Sequence, residues 1–130
     1  MGTARPRPVV LDTGALMAFE RNDARVRRMF ELAVEHAIPI HVPAGVIAQA
    51  WRDGTRQARL SRLVGSGWLS VHPLDIEKAK GAGSICGRSK TADVVDASVV
   101  LLARRHAATV VTSDPDDIAR VDPDLPIEVC

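Results

Sequence analysis

Aromatic residues make up only 3% of the 130-residue chain, and tyrosine is absent. A surface that grips nucleic acid by stacking bases on rings is therefore poorly supported. The two cysteines, Cys86 and Cys130, are too few for a disulfide framework, and neither has the close His or Cys neighbours of a zinc motif. They read as a packing residue and a tail residue. Charge of one sign is also missing: 17 basic residues stand against 16 acidic ones, a formal net charge of +1. No global field draws this chain to nucleic acid or to an anionic membrane, so any charged partner must be met locally. No apolar run approaches the roughly eighteen residues that span a bilayer, and the arginines of residues 1–8 have no apolar stretch behind them. A cytoplasmic location with no membrane partner is the expectation. A phosphate-cradling loop is lacking too, since Gly81-Ala82-Gly83 has neither the strand-turn-helix setting nor the Lys-Ser/Thr ending.

What remains is 46% apolar and 25% charged, at a length close to the commonest domain size. One domain is expected over residues 1–130, led by an extended tail over residues 1–8. Val9-Val10-Leu11 is a short apolar run of strand type closed by Asp12, and residues 15–20 follow in a helical pattern. Asn22 or Asp23 is placed to cap a second helix whose apolar face is Val26, Met29, Phe30, Ala33 and Val34. Residues 38–42 form a second strand. Pro43 fits the first turn of a helix that carries Val46, Ile47, Ala50 and Trp51 inward and ends at a Gly54 cap. Thr55 is expected to cap the next helix, which Gly65 and Gly67 end. A third strand over residues 68–71, a helix from Asp75 toward Gly87 and a loop over residues 88–90 come next. Thr91 is expected to cap a long helix over residues 92–106, followed closely by the strand Thr109–Thr112. Pro115 opens a short last helix, and Ile127–Val129 is an edge strand. Short, continuously apolar strands alternating with helices indicate an α/β fold, a three-layer α/β/α sandwich with a mostly parallel central sheet.

The positions of certain carboxylates are more informative than their number. Asp12 and Asp114 both follow apolar strands, and the strand C-termini of an open parallel sheet are where ligands bind. Each aspartate could instead simply cap the helix that follows. Asp93 and Asp96 lie three apart near the start of the long helix, which is apolar around almost its full circumference. Asp96 therefore sits among apolar neighbours with no lysine or arginine within one turn, and a buried ionised carboxylate is costly unless it is paired or holds a metal. Converging carboxylates raise one another's pKa, and a divalent cation resolves that cost. Oxygen donors without thiolates or clustered histidines point to Mg²⁺ or Mn²⁺, the ions of in-line phosphodiester cleavage.

The ordered set Val9-Val10-Leu11-Asp12-Thr13, Val42-Pro43-Ala44, Thr91-Ala92-Asp93-Val94-Val95-Asp96-Ala97 and Val110-Val111-Thr112-Ser113-Asp114-Pro115-Asp116-Asp117 resembles the PIN-domain ribonucleases. It is most similar to the VapC-type toxins of bacterial toxin–antitoxin pairs, over the whole chain from Val9 onward. The resemblance implies a PIN-like fold and a magnesium-dependent endoribonuclease acting on structured RNA such as tRNA or rRNA. It further implies a homodimer and a cognate VapB-like antitoxin whose tail enters the active-site groove. Carried over by residue, it makes Asp12, Asp96 and Asp114 the metal and catalytic aspartates, with Asp93 assisting and Asp117 a supplementary ligand. Gln49 departs from the pattern, standing where such a helix usually presents a glutamate. Its carboxamide keeps an oxygen donor and loses the charge, so a catalytically weakened RNA- or protein-binding module is the alternative.

Other features carry less. Arg52, Arg56, Arg59 and Arg62 recur at spacings of three and four, a basic stripe suited to phosphate that could equally be a solvated face. Thr13 and Ser113 adjoin proposed ligands and are candidates for orienting water or RNA, or for ordinary turn hydrogen bonds. Trp51 and Trp68 read as core or dimer-interface residues. His36, His41, His72 and His106 are scattered along the chain, with His106 placed to interact with a helix dipole. A phosphotransfer receiver or small phosphatase, which also places aspartates at strand ends, is the rival from another class.

Overall fold

The structure, a computed structural model, describes residues 6–130, so the expected N-terminal tail lies outside the described residues up to position 5. Five strands and seven helices follow in the order β1 (Val9–Leu11), α1 (Thr13–Glu20), α2 (Ala24–Glu35), β2 (Ile40–Pro43), α3 (Ala44–Ala50), α4 (Ala58–Gly65), β3 (Leu69–His72), α5 (Ile76–Ser89), α6 (Val94–His106), β4 (Thr109–Thr112), α7 (Pro115–Val121) and β5 (Ile127–Val129). All pairings are parallel, in the spatial order β3-β2-β1-β4-β5. This is the expected α/β/α sandwich, with a fully parallel sheet.

The strand order fixes where a ligand can enter. From β1 the chain steps outward through β2 to β3, then returns across the sheet to β4 on the other side of β1. Right-handed crossovers place helices on one face for the first direction and on the opposite face for the second. Accordingly α1 packs with α2, α3 and α4, whereas α6 packs with α5 and α7. The direction reverses between β1 and β4, so a crevice opens beyond their C-terminal ends.

The centre is aliphatic. Val10, Leu11, Val42, Val110 and Val111 from the strands are fully buried, as are Leu16, Val46, Leu60, Val99 and Val100 from the helices. Phe19 and Phe30 pack with ring centroids 4.6 Å apart, joining α1 to α2. Helices α5 and α6 approach closely at Gly81, where a Cβ would lie 3.0 Å from a methyl of Leu101.

Several local expectations change. Asp93, rather than Thr91, caps α6, which therefore starts at Val94, and Thr91 instead accepts a hydrogen bond from the Asp93 amide. Val94 is 47% exposed, so the apolar circumference of α6 is not wholly buried. Helix α3 stops at Ala50 and Trp51 turns into extended backbone, 36% exposed, so neither a buried Trp51 nor a Gly54 cap forms. The cause is Gln57: its side chain accepts from the Arg52 and Asp53 amides and donates to the Ala50 carbonyl, satisfying the helix end. Gln57 thereby also takes the position before α4 that Thr55 was expected to hold, and Thr55 bonds to Asp53. Trp68 is 55% exposed and is not a core residue. Arg88 and Ser89 continue α5, and Lys90 closes it in the left-handed conformation with φ 57°.

Candidate functional site

The crevice between β1 and β4 is where acidic side chains gather. Leu11 and Val111 are paired in register, and the Asp12 amide continues the ladder by donating to the Val111 carbonyl at 3.2 Å. Asp12 is consequently held rigidly and is only 7% exposed. Its Oδ1 accepts from the Ala15 amide at 2.9 Å, so it caps α1. Asp114, two residues past the end of β4, behaves differently: its amide donates to Thr112 Oγ1 at 2.8 Å, and its carboxylate makes no capping bond to α7. The capping explanation thus accounts for one oxygen of Asp12 and for none of Asp114. The two strand-end loops touch, since a Cβ on Gly14 would overlap Ser113 Oγ and approach Ser113 Cβ to 2.9 Å.

The first turn of α6 supplies the other carboxylates. Asp93 Oδ1 accepts from the Asp96 amide at 2.9 Å, and Asp96 is half-buried. Burial pushes the Asp96 carboxyl up to about 6, reinforced by the charges of Asp93, Asp117 and Asp12. Burial also raises Asp12, with Asp114 adding to the rise while hydrogen bonds from Thr112 and the Ala15 amide oppose it. Asp96 thus feels the charges of Asp93, Asp117 and Asp12, and Asp12 that of Asp114. Among the described residues Asp12, Asp93, Asp96 and Asp114 form no ion pair, whereas Asp117 is partly compensated by Arg120 at 3.1 Å. A groove lined by Lys90, Thr91, Asp93, Asp96, Asp117 and Arg120 opens at this point.

The donor set fits a hard divalent cation. It is all oxygen, and the half-buried Asp96 carries a charge that nothing in its surroundings balances. The carboxylate oxygens are not drawn into a set of three within 4.8 Å of one another among the described residues.

Gln49 projects from α3 toward the same edge, its Oε1 accepting from the Thr13 hydroxyl next to Asp12. Thr112, buried between Asp12 and Asp114, is the site residue that sequence reading missed; a threonine ending an apolar strand two residues before an aspartate was the available signal. The arginines do not form the expected single stripe, because the turn between α3 and α4 breaks the helical phase. Arg52 donates to the Ala48 and Trp51 carbonyls at the end of α3, and Arg56 pairs with Asp53 at 3.7 Å. Arg59 and Arg62 instead line a separate groove with Arg27 and Trp68. The histidines are not scattered in space, since His41, His72 and His106 come together.

The model of the PIN domain matches residues 9–123. The chain belongs to the PIN domain family. Solved structures agree on the fold. This PIN domain is similar to VapBC2 from Rickettsia felis bound to a promoter DNA fragment, with TM-score 0.69 and 16% identity over 94% of this chain and 98% of that one. It is similar to DNA-bound VapBC from Salmonella typhimurium, with TM-score 0.68 and 20% identity over 95% and 98% of the two chains. It also resembles VapC20 of Mycobacterium tuberculosis, a sarcin–ricin loop cleaving toxin, with TM-score 0.60 and 16% identity over 78% and 86%. No curated protein matches the PIN domain described here.

Proposed function

We propose that this PIN domain, a single unit over residues 1–130, is a divalent-metal-dependent endoribonuclease and the toxin of a VapB–VapC-type pair. The reading is supported by Asp12 and Asp114 beyond the C-terminal ends of the adjacent strands β1 and β4, and by Asp96, raised to about 6 by burial and by the charges of Asp93, Asp117 and Asp12. Asp12, Asp96 and Asp114 would hold Mg²⁺, or Mn²⁺ in its place, with Asp93 and Asp117 acting at longer range. When bound, that ion supplies the charge that makes water nucleophilic near neutral pH and offsets the charge developing on the phosphate.

The protein's own contribution is placement. Asp12 is fixed by its ladder bond and cap, so its free oxygen has one direction. Thr112 accepts from the Asp114 amide and, by hydrogen bonding, favours the ionised form of Asp12. Asp93 anchors the Asp96 backbone through the cap bond. Lys90 and Arg120 line the groove with Asp93 and Asp96 and suit the phosphates of an RNA strand, while Thr13 and Ser113 adjoin Asp12 and Asp114 in the chain. Structured RNA such as tRNA or rRNA, a VapB-like antitoxin, a homodimer and a cytoplasmic setting complete the proposal. Among the described residues no helix is long and apolar enough to cross a membrane.

Gln49 favours a second reading, a PIN domain weakened in catalysis that binds RNA or a partner protein, because its carboxamide is occupied by Thr13. Cleavage of purified tRNA and rRNA across a Mg²⁺ and Mn²⁺ titration separates the two. The nuclease reading expects metal-dependent cleavage that disappears in folded Asp12→Asn and Asp96→Asn proteins. RNA binding without cleavage in every metal condition supports the weakened module instead.

A further inference from the structure

Three histidines far apart in sequence meet on the face of the sheet that α6 covers. His41 lies within β2, His72 ends β3 and His106 ends α6. In the parallel register Pro43 stands opposite His72 and His41 opposite Ser70, so the strand alternation puts His41 and His72 on one face. His41 Nδ1 is 2.9 Å from His72 Nε2. The His41 and His106 rings stack at 3.9 Å and 19°. One nitrogen from each ring lies within 4.8 Å of the other two, and no other three potential ligands among the described residues are this close. The group is ten residues along α6 from Asp96, about 15 Å at the rise of an α-helix, and so is separate from the acidic crevice.

We propose that His41, His72 and His106 form a nitrogen-only site for a borderline divalent cation of the zinc class, fastening the C-terminal end of α6 to β2 and β3. Imidazole selects zinc, nickel or copper over magnesium, which prefers oxygen. Two imidazole nitrogens held at about 2.0–2.1 Å in a tetrahedron stand about 3.3 Å apart. The 2.9 Å pair reaches that spacing by opening a few tenths of an ångström, and His106 by swinging inward. His41 is 8% exposed, an environment that disfavours the charged ring. A neutral ring is the form that ligates. The nearby cations are paired, Lys78 with Asp75 at 3.1 Å and Arg105 with Glu77 at 2.9 Å, which offsets their repulsion of a metal in part, the Lys78 charge still lowering the His72 pKa. His72 also lines a cavity with Pro43, Leu74, Lys78, Leu101 and Arg105, the route by which a cation would enter.

The test uses the full chain stripped with a chelator and titrated with Co²⁺ in millimolar Mg²⁺, following the visible bands of tetrahedral cobalt, with Zn²⁺ as competitor. One equivalent is expected to bind, Zn²⁺ to displace it, and the melting temperature to rise by several degrees. His72→Gln and His106→Gln should each weaken binding at least about tenfold. Asp12→Asn and Asp96→Asn should leave it unchanged, which separates this site from the nuclease reading. No tetrahedral band in the unaltered chain overturns the proposal, leaving the trio as hydrogen-bonded and stacked rings. So does a band that survives both histidine variants or is lost in the aspartate variants. Should the histidine variants not fold, X-ray absorption of the zinc-loaded unaltered chain decides, by three imidazoles against oxygen-rich coordination.

Discussion

The Thr13 hydroxyl donates to Gln49 Oε1, tying α3 to the residue that follows the buried Asp12. The carboxamide is therefore an oriented neighbour of the acidic crevice, and its lack of charge has a consequence for metal affinity. Replacing Gln49 by Glu places a carboxylate where an oxygen already points. We expect Gln49→Glu to lower the Mg²⁺ concentration for half-maximal cleavage about tenfold, equivalent to about 1.4 kcal/mol. Cleavage rates of both proteins across a metal titration check this; an unchanged or higher requirement in the variant rules the role out.

Asp12 both caps α1 and faces the crevice, and two substitutions separate the roles. Asparagine caps as well as aspartate, whereas alanine at a cap costs about 1 kcal/mol. Asp12→Asn should therefore melt close to the parent while losing more than about a hundredfold in cleavage, since even an outer-shell partner of a metal is worth about 10–100-fold. Asp12→Ala should lose both. Asp114, which caps nothing, should tolerate alanine in a melting experiment and still lose activity. Cleavage retained by Asp12→Asn would remove it from the site.

The contact between Gly14 and Ser113 predicts a coupled pair. An alanine Cβ at Gly14 overlaps Ser113 Oγ, and the 2.9 Å approach to Ser113 Cβ means that rotating the hydroxyl away is not sufficient. Gly14→Ala should destabilise by about 1–3 kcal/mol, as overpacking does, and should lower activity by moving Asp114. Adding Ser113→Gly should restore most of the loss. A double-mutant cycle by denaturant unfolding measures the coupling, and additive losses would contradict the contact.

Two groups pull stability in opposite directions with pH. Folded Asp96 keeps its proton up to about 6, against 3.8 for the unfolded chain, so metal-free folded protein binds more protons between those values. Its contribution therefore weakens as pH rises through that window. Folded His41 stays neutral down to about 4, against 6.5 unfolded, so its contribution weakens as pH falls. His72 and His106 face His41, and the ion pairs Lys78–Asp75 and Arg105–Glu77 lie beside the cluster. Melting of chelator-treated protein from pH 4 to 7 should show Asp96→Asn gaining stability relative to the parent as pH rises, and His41→Gln gaining as pH falls. Mg²⁺ should reduce the Asp96 effect, because it favours the ionised carboxylate. Parallel curves for parent and Asp96→Asn would refute its raised pKa.

Local patterns carried far in this chain where one strand or one helix decided the outcome. The β4, α7 and β5 limits follow directly from Thr109–Thr112, Pro115 and Ile127–Val129, because apolar runs and proline act within a few residues. Asp12, Asp96 and Asp114 were recognisable as unusual for the same reason, being carboxylates at strand ends or on an apolar helix. Local reading failed where a distant side chain decided. Gln57 reaches back to end α3, exposing Trp51 and breaking the arginine periodicity. His41, His72 and His106 look unrelated until β2, β3 and α6 are packed together.

The amino-acid sequence by itself determined the alternation of strands and helices and the residue types that reach the strand ends, since burial and backbone propensity operate over neighbouring residues. Only the tertiary structure decided that β1 and β4 lie side by side, that Asp12 feels Asp114 and Asp96 feels Asp12, and that three histidines meet at the far end of α6. Parallel strands are joined through crossovers, so the neighbours that set a carboxylate's proton affinity or a metal's ligands come from segments tens of residues away.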